Sequence, residues 1–162
     1  MDEKVWAAVV TAAASIAVAL YSAVTARTAL LAAKNAEERA KRFEQIRLHA
    51  TAAGESLLES LGDLLILAQG IQWRLKNVGP IPAAEALEAF RPIPPLISKL
   101  KKTIYSTAIY TTLRIRTSVE VTIAQLTAKH VDLSKWDELV KSLHDQINET
   151  ADHFHETYLK ID

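Results

Sequence analysis

The pattern of apolar and polar positions changes character along the chain, and each change predicts an element. From Val5 to Ala26 there is no charged residue. At about 1.5 Å rise per residue, a helix of that length crosses a hydrocarbon core of roughly 30 Å. Its hydrophobicity is thin: Val9, Val10, Ile16, Val18, Leu20 and Val24 are spread among alanines. Trp6 and Tyr21 stand toward the two ends, where amphipathic rings favour the headgroup layer. Ala8 with Ala12, and Ala13 with Ala17, repeat at i, i+4. Small residues at that spacing let two membrane helices approach closely, so these four are the candidate helix-packing residues.

Residues 27–45 are rich in alanine and charge and lack a wide apolar stripe, which predicts a helical stalk. From Phe43 a stripe begins: Phe43, Ile46, Ala50, Ala53, Leu57, Leu61, Leu64, Ala68, Ile71 and Leu75. Steps of three and four residues mark one helical face. Gly54 could end one helix, with Ser56 and Glu59 boxing the start of the next. The phase of the stripe runs straight through it, which favours a continuous helix. Asn77-Val78-Gly79-Pro80 ends that helix. Residues 83–90 could form a short one, and Arg91-Pro92-Ile93-Pro94-Pro95 reads as a stiff extended stop.

A second long helix is expected from Leu96 to Lys129, with the stripe Ile97, Leu100, Ile104, Ala108, Thr111, Ile115, Val119, Thr122 and Leu126. Its β-branched residues argue for strand, but thirty residues of helical phase without a turn signal outweigh them. A last helix, capped by Asp132 or Ser134, carries Trp136, Leu139, Val140, Leu143, Ile147, Ala151, Phe154, Tyr158 and Ile161 on one face. The expected fold class is therefore all-α. A transmembrane helix (1–26, with a short external tail) and a stalk (27–45) lead into an antiparallel three-helix bundle (46–162) with a proline-containing loop at 78–95. A break at Gly54 would make the bundle four-helical. Leu61, Leu64, Ile104, Ile115, Leu143 and Ile147 are the expected core.

Composition supports the helical reading. Gly and Pro number only four and five in 162 residues, too few for a many-turned β fold. There is no cysteine, which excludes a disulfide scaffold, thiolate-bound zinc and thiol chemistry. Nineteen basic and nineteen acidic residues cancel, so no global bias toward nucleic acid exists, and a nucleic-acid partner is not expected.

Local charge is informative. Arg27, Lys34, Arg39, Lys41, Arg42 and Arg47 follow the apolar run, against Lys4 alone before it. Positive charge resists translocation, which places the N-terminus outside and the C-terminal domain in the cytoplasm at an inner membrane. Val24-Thr25-Ala26 is a tolerable signal-peptidase site, but Asp2 and Glu3 cancel the positive n-region that a signal peptide needs. Between Ala89 and Val119 lie Arg91, Lys99, Lys101, Lys102, Arg114 and Arg116 with no acid. They form a candidate basic surface for anionic lipid, unless they pair with the last helix, where nine acids face four lysines from Glu120 onward.

Candidate chemistry is sparse. Glu149, Asp152, His153, His155 and Glu156 include i, i+3 and i, i+4 carboxylate–histidine pairs of the kind that ligate metals in bundles. The stripes of the other helices offer no matching acids, so no metal site is expected. Arg42 and His49 have an R-x6-H spacing that resembles that of HEPN-type ribonucleases, which are also helical. The resemblance covers two residues, and Phe43 stands where that family usually has a polar one. There is no nucleophile elbow and no phosphate loop. No catalytic residue and no cofactor is assigned. The sequence reads as a non-enzymatic single-pass membrane protein whose bundle binds a protein partner or itself. The alternative is a membrane-active effector of the phage lysis, exclusion or abortive-infection type, with an oligomerising span.

Overall fold

A computed structural model describes residues 3–79, 81, 83–127 and 135–160, with side chains described from Trp6 onward except at positions 83, 84, 86 and 87. The described residues are all-helical, with a long N-terminal helix packed against shorter ones. Helix α1 runs Glu3–Asn77, α2 Ala83–Phe90, α3 Ile93–Ser106, α4 Leu113–Thr127 and α5 Trp136–Phe154. A one-turn π-helix, His155–Leu159, follows α5 directly. The chain divides into two compact units, Met1–Gln45 and Ile46–Asp162.

In the first unit every described side chain is exposed. In the second, α1 buries Ala50, Leu57, Leu61, Leu64, Ala68 and Ile71 along one face. The expected stripe begins too early: Phe43 and Ile46 are exposed. Helical phase says which residues share a face, not whether a neighbour covers that face.

Continuity through Gly54 is borne out, and its reason is a close contact. A Cβ on Gly54 would lie 2.7 Å from Phe154 Cγ and 2.8 Å from Cδ1. The missing side chain is what lets the Phe154 ring of α5 rest on the α1 backbone. Helix α1 ends where Gly79 adopts φ +97°, a left-handed C-terminal cap. The Val78 N–H bonds back to the Arg74 carbonyl at 2.8 Å.

Two expectations are corrected. The Pro92–Pro95 run is not an extended stop, because α3 starts at Ile93 with Pro94 and Pro95 in its first turn. First-turn N–H groups have no intrahelical acceptor, so proline loses nothing there. The helix expected over 96–129 is two helices, broken at Thr107–Thr112 without any Gly or Pro. The chain turns after α3 and is capped again before α4. Thr107 Oγ1 donates to the Thr103 carbonyl at 2.9 Å, and the connector turns through Tyr110 N–H to Thr107 O at 2.8 Å. Thr112 Oγ1 then accepts from Ile115 N–H at 3.2 Å, an N-cap that starts α4. Threonine offers the backbone these alternative partners, and a cluster of them can end a helix that periodicity alone would continue. The caps proposed at Asp132 and Ser134, and Ile161 of the last stripe, lie outside the described residues.

Neighbouring helices of the bundle run antiparallel. Ser60 of α1 meets Thr103 of α3 at 3.2 Å, Lys99 of α3 meets Asp63 of α1, and Gln72 of α1 reaches Asp137 of α5 at 2.6 Å. The core holds Leu100, Ile104, Ile115, Val119, Leu126, Trp136, Leu139 and Leu143, with Ile147 partly buried against it. Trp136 pins the start of α5: its indole N–H donates to the Ala68 carbonyl at 2.8 Å, and its ring meets Phe90 of α2 edge-on.

Candidate functional site: apolar segment and bundle surfaces

The apolar segment of α1 is long and apolar enough to cross a membrane, lies near the N-terminus, and none of it is buried. Val10, Ile16, Val18, Leu20 and Val24 are each about three-fifths exposed. Its hydroxyls are turned inward on the helix itself. Thr11 Oγ1 donates to the Ala7 carbonyl at 2.8 Å, Ser15 Oγ to Thr11 at 2.9 Å and Thr25 Oγ1 to Tyr21 at 2.9 Å. Each of these three hydroxyls thus has a partner that does not depend on water, as a hydrocarbon environment requires. Ala8, Ala12, Ala13 and Ala17 are all exposed on this helix.

The six basic residues of the candidate surface separate into three kinds. Lys99 is bound to α1, with Nζ 2.9 Å from Asp63 and 3.1 Å from Glu59. The hydrogen bonds it donates to Asp63 and then to Glu59 push its pKa above the ordinary lysine value. Arg114 Nε lies 2.8 Å from Glu149 of α5, the cross-helix pairing considered as the alternative to lipid binding. Arg116 is half-buried, with a buried Nε that has no protein partner. Arg91, Lys101 and Lys102 are exposed and take part in no described ion pair. Of the six, these last three remain as an exposed basic surface outside the described ion pairs.

The acid–histidine cluster has a structural use. His153 Nε2 donates to the carbonyl of Tyr110 at 2.8 Å, so α5 props the α3–α4 connector from beneath. Tyr158 adds edge contacts to the Tyr110 and His153 rings. Glu149 is taken by Arg114, and Asp152, His155 and Glu156 are exposed. Among the described residues no group of three or more His, Cys, Asp or Glu is placed to hold a metal ion. Arg42 and His49, the pair with R-x6-H spacing, are both exposed; His49 is not the partly buried residue its neighbours Ile46 and Ala50 suggest.

Comparison with family models, with curated proteins and with solved structures finds no match. The reading of this chain therefore rests on its own geometry.

One feature escaped sequence reasoning, a band of polar groups inside the bundle. Ser60, Thr103, Thr107, Thr122, Gln146 and Thr150 are buried. Gln146 Nε2 donates to Thr122 Oγ1 at 2.5 Å and to Ser142 Oγ at 3.1 Å, while Gln146 Oε1 and Thr150 Oγ1 are buried without a protein partner. Only the helical phase of Gln146 and Thr150, one turn apart beside Leu143, could have signalled it. An unpartnered buried hydroxyl costs about 1–3 kcal/mol of desolvation. Thr150→Val, which keeps the shape and removes the hydroxyl, is expected to stabilise the bundle by about 1 kcal/mol, read from the thermal unfolding midpoint.

At the opposite end of α5, Asp137 sits in the first turn and accepts from Gln72 and Lys76 of α1. These two contacts, in that order, hold its carboxyl below the ordinary aspartate value. The α1–α5 clasp is therefore formed at neutral pH and lost as pH falls through that depressed value.

Proposed function

We propose that this protein is a single-pass membrane protein whose apolar N-terminal helix anchors a helical bundle, and that the bundle is a cytoplasmic interaction, scaffold or regulatory module without enzymatic activity. The observation that supports it most is the apolar stretch of α1, of which nothing is buried. A helix face of this kind is unfavourable in water and is at home in a bilayer. The thin hydrophobicity of the segment leaves room for helix–helix packing through Ala8, Ala12, Ala13 and Ala17, so a homo-oligomer or a protein partner in the membrane belongs to the same proposal. The excess of Lys and Arg after the segment supports the orientation with the N-terminus outside and the bundle in the cytoplasm.

A topology reporter fused after Asp162 is expected to read as cytoplasmic. A reporter that reads as external would overturn the orientation, and a mature chain beginning at Arg27 recovered outside the cell would replace the anchor with a cleaved signal sequence. Induced expression is expected to leave growth and membrane potential intact; depolarisation would favour the membrane-active alternative.

A further inference from the structure

The second unit has one end at which exposed apolar side chains collect. That end is defined by contacts: Gly54 of α1 lies under Phe154 of α5, and His153 of α5 holds the Tyr110 carbonyl of the α3–α4 connector. It is the end at which the chain enters the unit. Here Ile109 is 86% exposed, Tyr105 72% and Leu113 70%, with Ile46 at 51% and Leu159 at 44%.

The connector is firmly built. Thr107 receives the N–H groups of Tyr110 and Thr111, Thr112 caps α4, and His153 supports the loop from below. A fixed polar stem that holds three large apolar side chains in water is an unfavourable arrangement unless something covers it.

The charges beside the tip indicate what covers it. Lys101 and Lys102 precede Tyr105 by one turn and are exposed, and Arg114 and Arg116 follow Leu113. No acid occurs between Ala89 and Val119. Of the nearby acids, Glu149 is taken by Arg114, Asp152 and Glu156 are on the α5 side, Glu55 is on α1 beside Gly54, and Glu120 of α4 shares a cleft with Lys101 and Tyr105. Positive charge is thus concentrated on the α3–α4 side of the end, beside the apolar tip.

We propose that this α3–α4 tip docks on an anionic bilayer surface. Tyr105, Ile109 and Leu113 enter the headgroup layer, and Lys101 and Lys102 face lipid phosphates. Basic side chains at such a surface contribute about fivefold each in affinity. The proposal rests on the anchor reading in one respect, that the anchor tethers the chain to a bilayer.

The cysteine-free chain makes the test direct. Single-cysteine variants Ile109→Cys, Asp145→Cys and Ile16→Cys of the full chain are labelled with an environment-sensitive fluorophore and reconstituted into vesicles of phosphatidylcholine, with or without phosphatidylglycerol. The label at position 109 is expected to blue-shift and be quenched by doxyl-labelled lipid only with phosphatidylglycerol. Lys101→Glu/Lys102→Glu should abolish that response, whereas Asp152→Asn should not weaken it. The label at 145 should stay aqueous throughout. If 109 matches 145 in both lipids, the bundle is held clear of the bilayer and the proposal fails. Equal quenching in both lipids would overturn the anionic-surface assignment, and a 109-to-109 crosslink in place of quenching would assign the tip to a second copy. The label at position 16 reports separately: if it is aqueous, the anchor reading fails, and vesicles added to the labelled chain then test the tip alone.

Discussion

Leu143→Ala is expected to destabilise the bundle by about 2–5 kcal/mol, the range for emptying a close-packed aliphatic site. Leu143 is fully buried on α5, at the centre of a core that also holds Leu57, Leu61, Leu100 and Val119. The antiparallel packing brings α1 and α4 against the same stretch of α5. A cavity there cannot be closed by one helix without displacing another, which places the cost in the upper part of the range. Lys102→Ala, on an exposed site of α3, should change stability by less than about 0.5 kcal/mol. Thermal unfolding followed by near-ultraviolet circular dichroism compares the two. Equal, small effects at both sites would mean that the helices do not share this core.

The second large effect is a change of sign along one helix. Gly54→Ala is expected to destabilise by about 1–3 kcal/mol, because the new Cβ would stand at 2.7 Å from the Phe154 ring, and overpacking of a fixed core costs that much. The ring has little freedom to yield. It is buried and packed edge-on against His153 and obliquely on Tyr158. Helix propensity works in the other direction, by up to about 1 kcal/mol in favour of alanine, and does not outweigh the clash. At Gly62 and Gly70 a Cβ meets nothing within 4 Å, so Gly62→Ala should stabilise by up to about 1 kcal/mol. Pairing Gly54→Ala with Phe154→Leu should recover part of the loss, since contacting residues are not additive.

Periodicity found most of this fold. The faces carrying Leu57, Leu61, Leu64, Ala68 and Ile71, and Trp136, Leu139, Leu143 and Phe154, are buried as their spacing demands. Every one of those residues follows from the 3.6-residue repeat and from nothing else. The failures share a cause. The helix expected over 96–129 breaks at Thr107–Thr112, where the backbone turns on the Thr107 carbonyl and Thr112 Oγ1 caps α4, a local chemistry that a hydrophobic stripe does not record. The β-branched propensity of that stretch was the better signal, although it marked a helix break rather than a strand. The Pro92–Pro95 run reads as a stop in the sequence, but proline can equally open a helix, as it does in α3.

The surfaces were less legible than the core. Charge along the chain marked Arg91 to Arg116 as a basic block, but only three-dimensional pairing shows that Lys99 and Arg114 are already engaged. His153 stands at metal-ligand spacing from Glu149, although no metal site is expected there, and it is a strut for Tyr110. Sequence distance could not reveal that acceptor, which lies in another element. The buried Gln146 and Thr150 likewise depend on which helix faces them.

The central claim is that the apolar segment of α1 holds the chain in a bilayer, and alkaline carbonate extraction of membranes from cells making the full chain tests it most directly. The wild-type protein is expected to remain in the membrane pellet. The Ala13→Arg/Ala17→Arg variant should be released, because each central arginine costs about 2.5–3.5 kcal/mol on the insertion scale and the segment has little hydrophobicity to spare. Recovery of the wild-type chain in the supernatant, together with the arginine variant, would contradict the account.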